Sequence, residues 1–159
     1  MMEARSSFDG VVDASVGIKL FLVEPLSDAA HALFTRLTDD LPARLYVPDL
    51  FFIECANILW KYVRRYGYPA ADALQNIGDL VRLPLQRVSM AALAEDALTV
   101  AVEYGSTAYD SAYVALAQRL DLPLVTADEA LVRCFADTGL DVRFLGDRHA
   151  PHLARAGAG

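Results

Sequence analysis

The sequence predicts an α/β domain, a single three-layer sandwich around a central, mostly parallel sheet of four to five strands. Three observations predict it. Short apolar runs bounded by turn residues recur along the chain, as buried strands do. Longer stretches free of Gly and Pro, with helical start and stop signals, lie between them. The two kinds alternate throughout, and parallel strands need long, usually helical, connections.

The elements follow in order. Gly10-Val11-Val12-Asp13-Ala14 is a short apolar run and a candidate buried strand. Ser27-Asp28 opens a helical stretch to about Leu41, with Ser27 as expected N-cap, and Pro42 closes it. Leu45-Tyr46-Val47 is a second strand before Pro48. Leu50 to Tyr66 contains no Gly or Pro and predicts a long helix. Gly67-Tyr68-Pro69 is a strong turn signal, so the next helix, about Ala70 to Val81, folds back on the first as a hairpin. Leu85-Gln86-Arg87-Val88 alternates and predicts a third strand. Ser89 is the expected cap of a helix from Met90 to Tyr104, which Gly105 ends. Tyr109 to Leu120 is a further helix, Pro123 to Thr126 a fourth strand, Glu129 to Ala136 a short helix, and Val142 to Leu145 a fifth strand.

Composition narrows the class. A chain of 159 residues suits one domain. With 55% hydrophobic and 22% charged residues it can bury a core, which argues against disorder. Residues 1–9 read as a leader, 10–147 as the folded domain, and 148–159 as a flexible tail. No apolar run approaches the roughly 18–20 residues of a membrane span, and the N-terminus lacks a signal-peptide profile. Cys55 and Cys134 are too few for a disulfide framework. A soluble cytoplasmic protein is expected. The net charge of −7 argues against a protein that coats nucleic acid through a broad basic surface. It leaves room for a nuclease whose carboxylates are neutralised locally by a metal ion.

Four carboxylates stand out by position. Asp13 follows Val11-Val12, and Asp128 follows Leu124-Val125-Thr126-Ala127, so each sits where a strand runs out. Ligands of such sheets bind beyond the carboxyl ends of the strands. Glu54 lies in the apolar start of the long helix, after Leu50-Phe51-Phe52-Ile53, and Asp110 in the first turn of an apolar helix. Ionised carboxylates in apolar surroundings are costly unless paired, and basic residues around these positions are few. A hard divalent cation resolves the conflict; Mg²⁺ takes one or two carboxylates, several waters and substrate phosphate. Glu54, Asn57, Lys61 and Arg64 share one helix face, continued by Arg65, which would run from an acidic pocket to a basic patch. A phosphodiester substrate suits that arrangement. Each residue also has an ordinary structural role available: Asp13 in a turn, Asp110 in a capping box with Thr107, and Asp128 as a helix cap.

Val11-Val12-Asp13-Ala14-Ser15-Val16 resembles the opening strand motif of PIN-domain proteins. Pro48-Asp49-Leu50 through Glu54-Cys55-Ala56-Asn57 resembles the second acidic motif of that family, with its E-x-x-N pair. Tyr109-Asp110-Ser111-Ala112-Tyr113-Val114-Ala115-Leu116-Ala117 resembles the third, and Leu122-Pro123-Leu124-Val125-Thr126-Ala127-Asp128 the fourth. The likeness runs from about Val11 to Leu145 and is nearest to the VapC-type ribonuclease toxins of prokaryotic toxin–antitoxin pairs.

The resemblance implies a PIN-type α/β/α sandwich and Mg²⁺- or Mn²⁺-dependent endoribonuclease activity leaving 5′-phosphate and 3′-hydroxyl ends. It also implies a homodimer and a cognate antitoxin seated on the site. Asp13 and Asp110 are the expected metal ligands. Glu54 and Asp128 complete the pocket by orienting water or holding a second ion, and Ser15, Asn57 and Thr126 fix the carboxylates from behind. Lys61, Arg64 and Arg65 are candidate RNA contacts, although cations near a helix C-terminus also complement its dipole. A catalytically silent module of the same fold, binding protein or RNA, is the alternative; four intact, mutually repelling carboxylates count against it. A phosphatase or receiver domain ranks third, because Asp13-Ala14-Ser15 lacks the paired acids those chemistries use.

Overall fold

The computed structural model describes residues 7–38 and 43–147. The expected leader falls outside the described residues up to residue 6, and so do the expected tail, 148–159, and residues 39–42, with the expected helix end at Leu41 and Pro42.

Five strands form one sheet: β1 (Asp9–Val12), β2 (Arg44–Pro48), β3 (Gln86–Val88), β4 (Leu124–Thr126) and β5 (Val142–Phe144). Their spatial order is β3-β2-β1-β4-β5 and every pairing is parallel. The central strands are apolar on both faces: Val11, Val12, Leu45, Val47, Leu124 and Val125 have no exposed surface. That double burial is what helices on both faces impose. β1 begins at Asp9, and Phe8 before it is already buried, so the domain starts slightly ahead of the expected boundary at residue 10.

The helices are α1 (Ala14–Gly17), α2 (Ser27–Thr35), α3 (Leu50–Tyr66), α4 (Ala70–Arg82), α5 (Met90–Tyr104), α6 (Ala108–Leu120) and α7 (Glu129–Phe135). Right-handed crossovers put α1–α4 on one face of the sheet and α5–α7 on the other. Tyr104 of α5 and Phe135 of α7 pack with ring centroids 5.4 Å apart and planes tilted by 59°, which ties the second layer together. α6 is buried over seven consecutive residues, Ser111 to Ala117, because it packs on the strands on one side and α5 on the other.

Local signals fix most boundaries. α3 spans Leu50–Tyr66 as expected and ends where Gly67 takes φ 66°. One expected cap is corrected. Ser27 does not cap α2: Leu26 occupies that position, and the Ser27 hydroxyl donates to Leu22 O at 2.8 Å and accepts from Glu24 N at 3.0 Å, closing the preceding loop. Ser89 is the N-cap residue of α5, as expected, but its side chain makes no cap bond; Asp49 Oδ1 accepts from Met90 N at 3.0 Å. The expected helix to Leu41 is regular only to Thr35 and continues as a 3₁₀ turn, Arg36–Thr38. α7 and β5 each end one residue before expectation.

The strand order reverses between β1 and β4: the chain builds outward from β1 to β3, then returns to the other side of β1. Crossovers diverge there, leaving a crevice beyond the carboxyl ends of β1 and β4. Asp13 follows the last residue of β1, and Asp128 stands two residues beyond β4.

Candidate acidic site

Asp13 is the most tightly held residue of the crevice. It caps α1, accepting from Val16 N through Oδ1 at 3.3 Å. The Ser15 hydroxyl donates to Oδ1 and the Thr126 hydroxyl to Oδ2, both at 2.5 Å. Ser15 Oγ also accepts from Ala127 N at 2.9 Å, and Thr126 Oγ1 from Asp128 N at 3.0 Å. Both carboxylate oxygens are therefore fixed by hydroxyls that are themselves anchored to the β4–α7 turn. Asp13 is 7% exposed. Burial pushes its pKa up to about 6, against the opposing pull of the Ser15, Thr126 and Val16 hydrogen bonds, and the Asp110 charge adds to the rise.

Glu54 stands on the second turn of α3, half-buried. Its Oε1 accepts from the Tyr113 hydroxyl at 2.6 Å. Burial raises the Glu54 pKa, the Tyr113 bond opposes that rise, and the Asp110 charge adds to it. Asp110 lies in the first turn of α6, where its N–H donates to the capping Thr107 hydroxyl at 3.1 Å. Its carboxyl is raised by burial and then by the charge of Asp128, against the Thr107 hydrogen bond. Asp128 caps α7, its Oδ1 accepting from Ala130 N at 2.9 Å and Leu131 N at 3.4 Å. The capping roles of Asp13 and Asp128, and the Thr107 cap before Asp110, thus coexist with the acidic grouping.

Four carboxylates from β1, α3, α6 and the β4–α7 turn share one electrostatic neighbourhood, with Asp110 acting on Asp13 and Glu54 and feeling Asp128. Among the described residues, the ion pairs are Lys19–Glu24, Arg44–Asp9, Arg82–Asp79, Arg119–Asp96 and Arg143–Asp141; none neutralises a member of the four. Nor do three or more of the described His, Cys, Asp and Glu close into a metal cage. The donors are carboxylate oxygens alone, which matches a hard cation that keeps its waters and leans on one or two carboxylates. It does not match zinc, which takes its ligands from Cys and His as well.

Ser15 and Thr126 both hydrogen-bond Asp13. Asn57 is exposed and makes no hydrogen bond to the four carboxylates. Lys61, Arg64 and Arg65 are exposed on α3, and Arg64 lies over the Trp60 ring at 5.5 Å. Tyr113 is a contact that the sequence reading did not single out; it stands three residues after Asp110, on the same helix face, which is the signal that could have found it. Cys55 is buried, with its thiol pKa raised by burial and then by Glu54 and Asp13, so it is inert. Cys134 is exposed and its thiol donates to Tyr104 O at 3.7 Å. Among the described residues no helix is long and apolar enough to cross a membrane.

Comparison with known proteins identifies the family. The PIN domain family model matches residues 10–135. The chain is 34% identical over 128 residues to ribonuclease VapC3 of Pyrobaculum aerophilum, covering 79% of this chain and 93% of that one. It is 35% identical over 118 residues to ribonuclease VapC9 of Mycobacterium tuberculosis, covering 70% and 88%. The crystal structure of PAE2754 from Pyrobaculum aerophilum superposes with a TM-score of 0.63 at 26% identity, over 87% of this chain and 92% of that one.

Proposed function

The chain belongs to the PIN-domain family, and on that premise we propose that it is a divalent-metal-dependent endoribonuclease, the toxin of a type II toxin–antitoxin pair. The observation that carries the reading is the set of four carboxylates, supplied by four separate elements to the switch point of the sheet, with no ion pair to any of them among the described residues. A fold has no physical reason to assemble such a set unless a cation and a phosphate complete it.

Asp13 and Asp110 are the residues we assign to holding Mg²⁺ or Mn²⁺. When bound, the cation supplies positive charge for the scissile phosphate and acidifies the attacking water. Ser15 and Thr126 keep the Asp13 oxygens in one orientation, so little reorganisation is left for the loaded state. Tyr113 occupies Glu54 Oε1. We assign the other oxygen, Oε2, to orient a water and accept its proton as it attacks phosphorus; burial raises the Glu54 pKa, which strengthens it as a base. The water oxygen bonds to phosphorus, the bond from phosphorus to the 3′-oxygen breaks, that oxygen takes up a proton from solvent, and a 5′-phosphate and a 3′-hydroxyl result. Asp128 closes the acidic pocket from the α7 side. Lys61, Arg64 and Arg65 of α3 hold the flanking RNA backbone, and Asn57 lies between them and Glu54, as a polar contact to the substrate. A cognate antitoxin covers the acidic crevice, and two copies form a homodimer.

Single-turnover cleavage of RNA in Mg²⁺ tests the reading, with Asp13→Asn and Asp110→Asn as controls that keep shape and remove charge. Cleavage lost in both folded variants is the expected result. Cleavage retained in both rejects it.

A further inference from the structure

A groove opens beside Asp128, between the loop that leads into α2 and the first turns of α7. Lys19 and Arg133 stand in its walls, and Pro25, Leu26 and Phe144 supply apolar surface. We propose that this groove is the subsite for the nucleotide next to the cleavage point, its phosphate held by Lys19 and Arg133 and its base lying on the apolar surface of Phe144 and Leu26. The proposal rests on the ribonuclease reading and deepens it, since the basic face of α3 is a separate surface.

Three features support it. First, the two cations differ in readiness. The Lys19 ammonium is largely buried and fixed to Glu24 Oε2 at 3.0 Å, while Tyr62 of α3 donates to Glu24 Oε1. One of its three donors is spent on Glu24, so two remain for an anion. Arg133 is exposed on α7 and has no ion pair among the described residues. Its guanidinium offers the planar fork that binds a phosphate through two hydrogen bonds.

Second, the apolar floor is built rather than incidental. Leu26 takes φ 72° and ψ 6°, a left-handed conformation that leucine rarely adopts. Gly146 permits the close packing beneath it: a Cβ there would lie 2.6 Å from the Phe144 ring and 3.0 Å from Leu26. The strained leucine, the ring and the glycine form one packed unit that faces the groove.

Third, the groove has the right neighbours. Asp128, a member of the acidic site, and Glu129 also line it. Their charge repels a phosphate and favours its seating against Lys19 and Arg133.

The test uses a fluorescent single-stranded RNA, with direct binding and steady-state cleavage measured on wild type, Arg133→Ala, Arg133→Glu and Phe144→Leu. Arg133→Glu should raise KM about fivefold or more while kcat stays within about twofold, the scale of one exposed phosphate contact reversed in sign. The slope of log affinity against log salt should be shallower by about 0.7 for Arg133→Ala, the value for one released counterion on a single strand. Phe144→Leu should weaken binding by a salt-independent factor. Cleavage by wild type, with KM and salt slope unmoved in the Arg133 variants, overturns the subsite and leaves the ribonuclease reading standing. If wild type binds RNA without cleaving it, the reading fails while the binding arm still judges the groove: a shallower salt slope in Arg133→Ala supports it. An unchanged slope, or no RNA binding at all, overturns it.

Discussion

The Tyr113 hydroxyl donates a 2.6 Å hydrogen bond to Glu54 Oε1, joining α6 to α3 across the end of the sheet. Neither residue is close to the other in sequence, and the bond decides how a half-buried carboxylate is presented to the crevice. Burial raises the Glu54 pKa and the Tyr113 bond restrains the rise. Tyr113→Phe removes that restraint. The acid limb of the cleavage pH profile should move to higher pH, because Glu54 then holds its proton longer. The variant should also be less stable at pH 7 by about 1.5–3 kcal/mol, the loss of a hydrogen bond to a charged group. A pH–rate series with a denaturant titration checks both. A purely structural role for Tyr113 would change stability and leave the limb in place.

Asp13 carries a penalty in the metal-free fold. Its folded pKa of about 6 lies above the ordinary 3.8, so between those values the native state binds more protons than the unfolded chain. Stability from this group is therefore fully present below about pH 4 and is lost as pH rises through 6. At pH 7.5 the cost is about 3 kcal/mol at 1.36 kcal/mol per unit. In EDTA, Asp13→Asn should be more stable than wild type at pH 7.5 by about 1–3 kcal/mol and no more stable at pH 4. Divalent cation should stabilise wild type and not the variant.

Ser111 is fully buried in α6 and its hydroxyl has no hydrogen-bond partner among the described residues. An orphan of this kind costs about 1–3 kcal/mol of desolvation. Ser111→Ala should raise the unfolding midpoint, corresponding to a gain of about 1 kcal/mol, and leave cleavage unchanged. A drop in stability would mean that the hydroxyl is bonded in solution.

Gly17 closes α1 against α3. A Cβ there would come within 2.5 Å of the Phe51 ring, itself fully buried. Gly17→Ala should destabilise the fold by about 1–3 kcal/mol through overpacking, measured by thermal unfolding.

Much of this was legible in the sequence because the signals are local. The absence of Gly and Pro from Leu50 to Tyr66, then Gly67, set α3 to the residue. The apolar runs of β1, β2 and β4 gave the central strands, and the acids just beyond them gave Asp13 and Asp128. α1 went unseen because four residues hold too little period to read. Strand order is a property of pairing, so nothing in the chain announced that β1 and β4 would sit side by side at the switch point. The Ser27 cap misled, and Ser89 took its cap position without a side-chain bond, because residue type says where a cap is favourable, whereas the loop's own hydrogen bonds and Asp49 decided which donors were already met. Tyr113 was hidden in an apolar run that reads as core, and in its ring it is core; only the hydroxyl reaches Glu54. Lys19 and Arg133 lie 114 positions apart and meet only in the fold.

The central claim is that the four carboxylates exist to hold a divalent cation for RNA hydrolysis. Calorimetric titration with Mn²⁺ of wild type and Asp110→Asn, paired with an RNA cleavage assay on the same samples, tests it most directly. The account predicts binding and cleavage in wild type, both lost in a variant that remains folded. Cleavage that survives the substitution, or Mn²⁺ binding that is equal in the two proteins, would contradict it.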